Sequence, residues 1–350
     1  MRIALIHYRL ILKGGLETRL RNYVYEFHAR GYGVTIICAK LSEEVELPNG
    51  VEVVRLSPGL TPKPFRKWRF SNLVDRYLTQ HKFDFSLSLG RTTGQDAVLA
   101  AANHKGYMKA MGKRFWKLTD YMQNHLDKAS FVSSQVIYAA SEMMKKELIE
   151  FYNIPSGKIE ILFPPINLEK IRYDSRIGQS NEAEKPTCNP NKQSFLFVSI
   201  GHKRKGLDIL LETFMSLDPD RYELFIAGLP KVNPKLPHVY YIGFKKNLAP
   251  WFRAVDYTIH PARFEPFGQI VTESLACGTP ILVSGMVGAS EIIAEGEGVI
   301  LDSLDPNDWL DLIKNLHNID FKVADNAVEK KALGLKEHID RMLKIWAESK

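Results

Sequence analysis

The chain has 350 residues, 45% of them hydrophobic and 25% charged, with a formal net charge of +7. At roughly 100–200 residues per domain that length predicts two domains, and neither fraction is extreme enough for a disordered, collagen-like or coiled-coil chain. No apolar run approaches the roughly 20 residues of a membrane-spanning helix. His7 and Arg9 interrupt the apolar start and no small-residue cleavage site follows, so it reads as the first strand of a cytoplasmic protein rather than as a signal peptide. Cys38, Cys188 and Cys277 lie far apart and form no ligand spacing, which predicts neither a disulfide framework nor a structural zinc site.

Taken in chain order, short β-branched or aromatic runs alternate with amphipathic segments, the pattern of parallel strands with helical crossovers. Residues 2–6, 34–39, 51–56, 85–89 and 136–140 read as strands of a first sheet. Residues 16–30 place Leu16, Leu20, Tyr23, Val24 and Phe27 on one helical face, so strand, glycine turn and helix follow one another in a Rossmann-like opening. Residues 172–193 turn polar and rich in Asn, Ser, Pro and Gly, which predicts a linker or exposed loop. The alternation then restarts, with strands expected at 195–200, 222–227, 239–242, 257–260 and 280–284 and helices from about Leu207, Leu248 and Gly268. Expected boundaries are 1–165 for the first Rossmann-like domain and 166–327 for the second. A last helix, 328–347, carries Leu333, His338, Met342, Ile345 and Trp346, and either closes the second domain or crosses back to the first. Two doubly wound α/β domains facing a central cleft would bind ligands at the carboxyl ends of their strands.

The charge is uneven: residues 1–165 hold 24 Lys+Arg and 15 Asp+Glu, a balance of +9, while residues 166–350 hold 23 and 25, a balance of −2. In two stretches, Lys63 to Phe70 and Lys105 to Lys117, cations alternate with large aromatics that include Phe115 and Trp116. Such a mixture suits an anionic membrane surface, and suits equally a solvated face whose aromatics pack inward. No nucleic-acid-binding signature accompanies it.

Three constellations carry candidate chemistry. Lys13, Gly14, Gly15, Leu16 and Glu17 join the first strand to its helix; adjacent glycines allow close backbone approach to an anion at a helix start, and serve a plain tight turn as well. Gly201, His202, Lys203, Arg204, Lys205 and Gly206 form a basic loop at a strand end, suited to a diphosphate without metal or to a solvated turn. Residues 261–280 hold Glu265 before a helix and Glu273 eight residues later inside it, with Gly268 at the helix start. One carboxylate can accept from sugar hydroxyls and the other from a ribose diol, with the helix start facing the phosphates between them.

The 261–280 segment resembles the E-x7-E segment of the retaining family 4 glycosyltransferases, which have the GT-B fold. Gly14, Gly15 and Leu16, the Lys205–Gly206 pair, the segment 161–167 and the turn Met286, Val287, Gly288, Ala289 stand at corresponding places. Within the family the chain is most similar to the lipopolysaccharide core glucosyltransferase type, through Arg204 to Gly206, Leu162 to Pro165 and residues 96–107. The resemblance implies transfer of a hexose, best matched by UDP-glucose or another UDP-hexose, to a lipopolysaccharide-core or other glycan or lipid-linked acceptor, with no metal and no cofactor besides the nucleotide diphosphate sugar. Lys205 would stabilise the diphosphate, Glu265 hold donor-sugar hydroxyls and Glu273 the ribose. Amides near Phe267, Gly268 and Gln269 would meet sugar and phosphates, and Gly14 and Gly15 would close over the diphosphate. Gly201 would precede the position where many members carry Arg; here it is His202, for which Arg204 is the substitute. The resemblance makes 1–165 the acceptor-binding domain and 166–327 the nucleotide-sugar-binding domain; Asn103 or His104 falls where an acceptor-side polar residue is expected, and His104 counts with Lys205, Glu265 and Arg204 among the catalytic candidates. Peripheral attachment to the inner face of an anionic membrane follows from the basic first half. The rival readings are a nucleotide-sugar epimerase of the same architecture and a non-catalytic nucleotide-sugar-binding protein at a membrane surface.

Overall fold

The computed structural model describes residues 1–12, 14–114, 117–168, 171 and 186–350. Lys13, Phe115, Trp116 and most of the expected 172–193 linker lie outside the described residues. The described chain divides into two compact units, residues 1–163 with 335–350 and residues 164–334.

The first unit is built on a seven-stranded sheet: β1 (Arg2–Ile6), β2 (Gly33–Cys38), β3 (Glu52–Arg55), β4 (Phe85–Ser88), β5 (Ala97–Ala100), β6 (Val136–Ala139) and β7 (Ile159–Ile161). Every pair is parallel and the spatial order is 3-2-1-4-5-6-7. Ile3, Ala4, Leu5 and Ile6 are all fully buried, as expected where helices cover both faces of a parallel sheet. The second unit repeats the plan with β8 (Gln193–Ile200), β9 (Tyr222–Leu229), β10 (Val239–Gly243), β11 (Tyr257–His260), β12 (Ile281–Ser284) and β13 (Gly298–Leu301). These six strands are also parallel, in the order 10-9-8-11-12-13. Both are doubly wound Rossmann-like sheets. Their order reverses beside the first strand of each, which leaves a crevice at the carboxyl ends of β1 and β4 and another at those of β8 and β11.

Three strands differ from expectation. β5 reads Ala-Val-Leu-Ala and lacks the β-branched density that marks a strand; β7 has only three residues; β13 follows the glycine-rich run Gly296, Glu297, Gly298, which resembles a loop. The last helix also differs. It spans Leu335–Glu348, not 328–347, because Ala332 sits in the left-handed region at φ 52° and Gly334 pairs with Ile166 as a β-bridge.

That helix belongs to the first unit and supplies part of its core. Ile339, Met342 and Trp346 pack with Tyr23, Phe27, Phe85 and Tyr138. The buried His338 is held at both ring nitrogens: Nδ1 donates to the Phe163 carbonyl at 2.9 Å, which leaves Nε2 to accept from the Tyr23 hydroxyl. The Tyr138 hydroxyl donates to the Met342 carbonyl at 2.7 Å. Cys38 and Cys277 are buried free thiols.

Candidate active site

In the second unit the three loops at the carboxyl ends of β8, β11 and β12 are tied together by backbone bonds. The Arg263 amide donates to the Arg204 carbonyl at 2.8 Å, and its guanidinium grips Asp208 through both oxygens at 2.6 and 3.0 Å. Gly206, at φ +83°, lies so close to the Pro261 carbonyl that a Cβ there would stand 2.0 Å from its oxygen. The Met286 to Ala289 turn fixes the other side of the loop: Glu265 donates to Met286 at 3.0 Å, Gly288 to Glu265 at 2.9 Å and Ala289 to Phe267 at 2.7 Å.

Glu265 is the focus of this frame. Its Oε2 lies 3.1 Å from Arg204 Nη1, 3.3 Å from Lys205 Nζ and 3.7 Å from Nε2 of the fully buried His260. Burial opposes its charge, but His260, Lys205 and Arg204 outweigh burial and hold the carboxyl well below the usual carboxylate range. Burial pushes His260 down to about 4, against the pull of Glu265, so the ring is neutral at neutral pH. One carboxylate under two cations leaves one formal positive charge. Arg204 and Lys205 remain partly open, at 26% and 18% side-chain exposure, with donors to spare for an incoming anion.

The helix Gln269–Ala276 begins at Gly268, whose φ of +97° lets the chain turn between Glu265 and Val287 without a side chain. Its first amides therefore open beside the Glu265 cluster. Glu273 is half-buried one turn beyond Gln269 on the same helical face. Gln269 donates from its side chain to the Pro165 carbonyl at 3.2 Å. His202 turns away from the cluster and its Nε2 donates to the Pro230 carbonyl at 2.6 Å; of the two candidates for the arginine position, Arg204 is the one beside Glu265.

In the first unit, Gly14 caps the helix Gly15–Ala29 at φ 116°, and a Cβ there would stand 2.1 Å from Glu17 Oε2. The buried Glu17 meets Arg9 Nη2 at 3.1 Å and His7 Nε2 at 3.7 Å. Burial lowers the His7 pKa, with Glu17 working against it. These residues wall a cavity of about 620 Å³ at the carboxyl ends of β1 and β4, which Gly15, Leu89 and Arg91 also line. Asn103 and His104 are not among the residues that line it. The Asn103 side chain caps the helix His104–Ala110, accepting from the Gly106 amide at 2.6 Å and donating to Glu147. The His104 amide donates to Asp127 at 2.8 Å, and its Nε2 lies 3.2 Å from Asp120. Among the described residues no group of three or more His, Cys, Asp or Glu is arranged to hold a metal ion.

Two family models divide the chain between them. The model described as glycosyltransferase family 4 matches residues 13–170, and that described as glycosyl transferases group 1 matches residues 192–318. The chain is a glycosyltransferase. This glycosyltransferase is 25% identical over 281 residues to a probable transglycosylase of Burkholderia thailandensis, covering 80% of this chain and 77% of that one. It is 22% identical over 317 residues to the lipopolysaccharide glucosyltransferase WaaG of Escherichia coli, covering 84% and 83%. Against the D-inositol 3-phosphate glycosyltransferase of Thermomonospora curvata it is 26% identical, but spans 55% of that protein's length. The crystal structure of WaaG aligns with a TM-score of 0.72 at 18% identity, over 98% of this chain and 95% of that one. The UDP-glucose complex of HepE from Anabaena aligns at 0.68 and 12%, over 98% and 99%. The fold is GT-B.

For this glycosyltransferase, the sequence reading named Arg204, Lys205, Glu265 and Gly268, which the structure brings together, and did not name His260 and Arg263, which belong to the same frame. His260 ends an otherwise ordinary strand, so only its place at a strand's carboxyl end pointed to it. Arg263 lies two residues before Glu265 and was readable only as part of the motif. The cavity cations Arg9, Lys67 and Arg91 come from three separate segments that only the fold brings together.

Proposed function

We propose that the enzyme transfers a hexose, with retention at the anomeric carbon, from a UDP-sugar to a glycan or lipid-linked acceptor such as a lipopolysaccharide core. The observation that carries this reading is Glu265 held beneath Arg204 and Lys205 beside the helix start at Gly268. Departure of a nucleoside diphosphate leaves negative charge on the leaving group and an oxocarbenium-like sugar. Lys205, Arg204 and the first helix amides answer the former in a fixed arrangement. Glu265, kept ionised, orients both cations and accepts from donor-sugar hydroxyls, while Glu273 accepts from the ribose diol. Retention without a covalent intermediate then requires the acceptor to arrive on the face from which the diphosphate leaves. The names of WaaG and of the HepE complex support glucose and UDP as the first donor to test.

The test is hydrolysis and transfer over UDP-, GDP- and ADP-hexoses with the wild type and Glu273→Ala, the product anomer being read by NMR. Cleavage of one donor by the wild type alone, with retained configuration, is the expected result. Inverted product removes the retaining assignment, and interconversion of the donor sugar without an acceptor points to an epimerase instead. We also propose peripheral attachment to an anionic membrane, supported by the exposed Trp68, Leu118 and Tyr121 within the basic first unit. Failure to sediment with anionic vesicles at low salt removes it.

A further inference from the structure

His260 ends β11, is fully buried, and has no hydrogen-bond partner at either ring nitrogen among the described residues. Two other buried imidazoles are anchored. His338 is held at both ring nitrogens, and His238 at Nε2, which donates to the Phe214 carbonyl at 3.0 Å. Buried polar groups are hydrogen-bonded as a rule, and one that is not marks a place of function or strain. The flanking strands pack apolar side chains at this level: the Phe197 ring on β8 is centred 6.1 Å from the imidazole, and Val283 on β12 is the register partner of His260.

The charged groups that bear on His260 are Glu265, Lys205 and Arg204, from the loops after β11 and β8. All of them meet at one atom. Nε2 of His260 stands 3.7 Å from Glu265 Oε2, beyond hydrogen-bonding distance, while Arg204 and Lys205 approach the same oxygen at 3.1 and 3.3 Å. With the ring neutral the cluster carries one formal positive charge. A nucleotide sugar carries a negative charge on each of its two phosphates, so its arrival at Arg204 and Lys205 turns that balance into one net negative charge. The helix start at Gly268 supplies only about half a charge in return. The His260 pKa is held down first by burial, with Lys205 and Arg204 adding to the effect and Glu265 opposing it. An anion on the two cations cancels their part and leaves the pull of Glu265 in place. Glu265 lies so far below the usual carboxylate range that the imidazole takes the proton before it does.

We propose that donor binding is coupled to uptake of one proton by His260, and that the imidazolium then closes on Glu265 and keeps this carboxylate aimed at the donor sugar while the diphosphate engages Arg204 and Lys205. His260 is thus a positioning residue, acting on the sugar through Glu265. The proposal rests on the transferase reading above and deepens it, because it makes donor affinity depend on pH. The bound-state pKa lies above the free one, so affinity is gained as the pH falls through the bound-state value and is lost as the pH rises through it.

The test is calorimetry of UDP-glucose, or of whichever nucleotide hexose the donor panel selects, on the full chain from about pH 5 to about pH 7.5. Buffers of different ionisation heat count the protons taken up. Both phosphates of such a donor are esterified and stay ionised over this range, so uptake belongs to the protein. NMR of the His260 ring runs beside it, with the donor and with inorganic sulfate, a dianion throughout. The ring signal is identified by its loss in His260→Asn, or in His260→Gln if the first variant does not fold. The donor should raise the His260 pKa from about 4 to about 6. Most of one proton is then taken up near pH 5, where the donor binds about ten-fold tighter than near pH 7.5; the variant takes up none and its affinity is flat. Donor binding without proton uptake, or with the same uptake in the variant, overturns the proposal and leaves the transferase reading intact. A His260 shift with sulfate, in a chain that binds none of the nucleotide hexoses, sustains a proton-coupled anion site and overturns the transferase reading. No shift with sulfate and no binding of any nucleotide hexose overturns both.

Discussion

Each sheet ends in a similar trio. At the first, His7 stands 3.7 Å and Arg9 3.1 Å from Glu17, under Gly14 at φ 116°. At the second, His260 stands 3.7 Å and Arg204 3.1 Å from Glu265, beside Gly268 at φ 97°. In both, a neutral buried imidazole and an arginine hold a carboxylate against a glycine-capped helix. The difference is Lys205, 3.3 Å from Glu265, which has no counterpart paired to Glu17 among the described residues. The first trio is balanced, and its glycine loop can lie against a ligand without competing for its charge. The second trio has a cation in excess and attracts an anion. The same scaffold thus holds a balanced trio or one with a spare cation according to one side chain.

The sharpest way to break this comparison is to remove that side chain. Lys205→Ala should lower kcat with the preferred donor by about 10²–10³, the loss typical of one donor to a developing anion, with little change in melting temperature. Near-normal turnover would return the second trio to the status of the first. Next in size, Gly206→Ala should destabilise the fold by about 2 kcal/mol or more in denaturant melts, since the new Cβ meets the Pro261 oxygen at 2.0 Å in a left-handed conformation. A neutral result there means that the basic loop is not rigidly seated on β11.

Acid provides a third test. His260 has its folded-state pKa lowered to about 4 from 6.5, so between those values the unfolded chain binds the extra proton. Stability is therefore full above about pH 6.5 and falls as the pH drops toward 4. Glu265, lowered from its ordinary value, extends the loss to still lower pH. Melting temperature against pH should show this limb in the wild type, and His260→Asn should flatten it by about one proton's share. His338, lowered to about 3 chiefly by burial, supplies a parallel contribution from the first unit that His260→Asn leaves untouched. Smallest of all, Asn103→Ala should cost about 1 kcal/mol through loss of a helix cap and leave KM for the acceptor unchanged. A raised KM without loss of stability would place Asn103 on the acceptor side.

The sequence was most informative where function is local. Lys205, Glu265, Gly268 and Glu273 belong to loops and one helix that follow a strand directly, so spacing alone sets their neighbours. The alternation of strands and helices was equally plain wherever strands are apolar and β-branched, as in β1 and β8. It failed at β5, whose alanines are buried by position in the sheet rather than by their own preference for it. Asn103 and His104 were read as a ligand-facing loop, and the sequence did not show that Asn103 also starts a helix; the Gly106 amide and Asp127 become their partners only after folding. The cluster of Arg9, Lys67 and Arg91 was out of reach for the same reason, being assembled from the ends of different crossovers.

The helix Leu335–Glu348 has a consequence for how the chain is made. A ribosome delivers residues in order, and domains generally fold as they emerge. Here the whole of residues 164–334 is synthesised before the helix that covers Phe85, Tyr23 and Tyr138 of the first unit becomes available. A chain ending at Gly334 would hold all of the second unit but an unfinished first one with aromatic surface still wet. The first unit begins to emerge first and is the last to be completed, which makes its partly formed core the stretch of this protein most dependent on protection during synthesis.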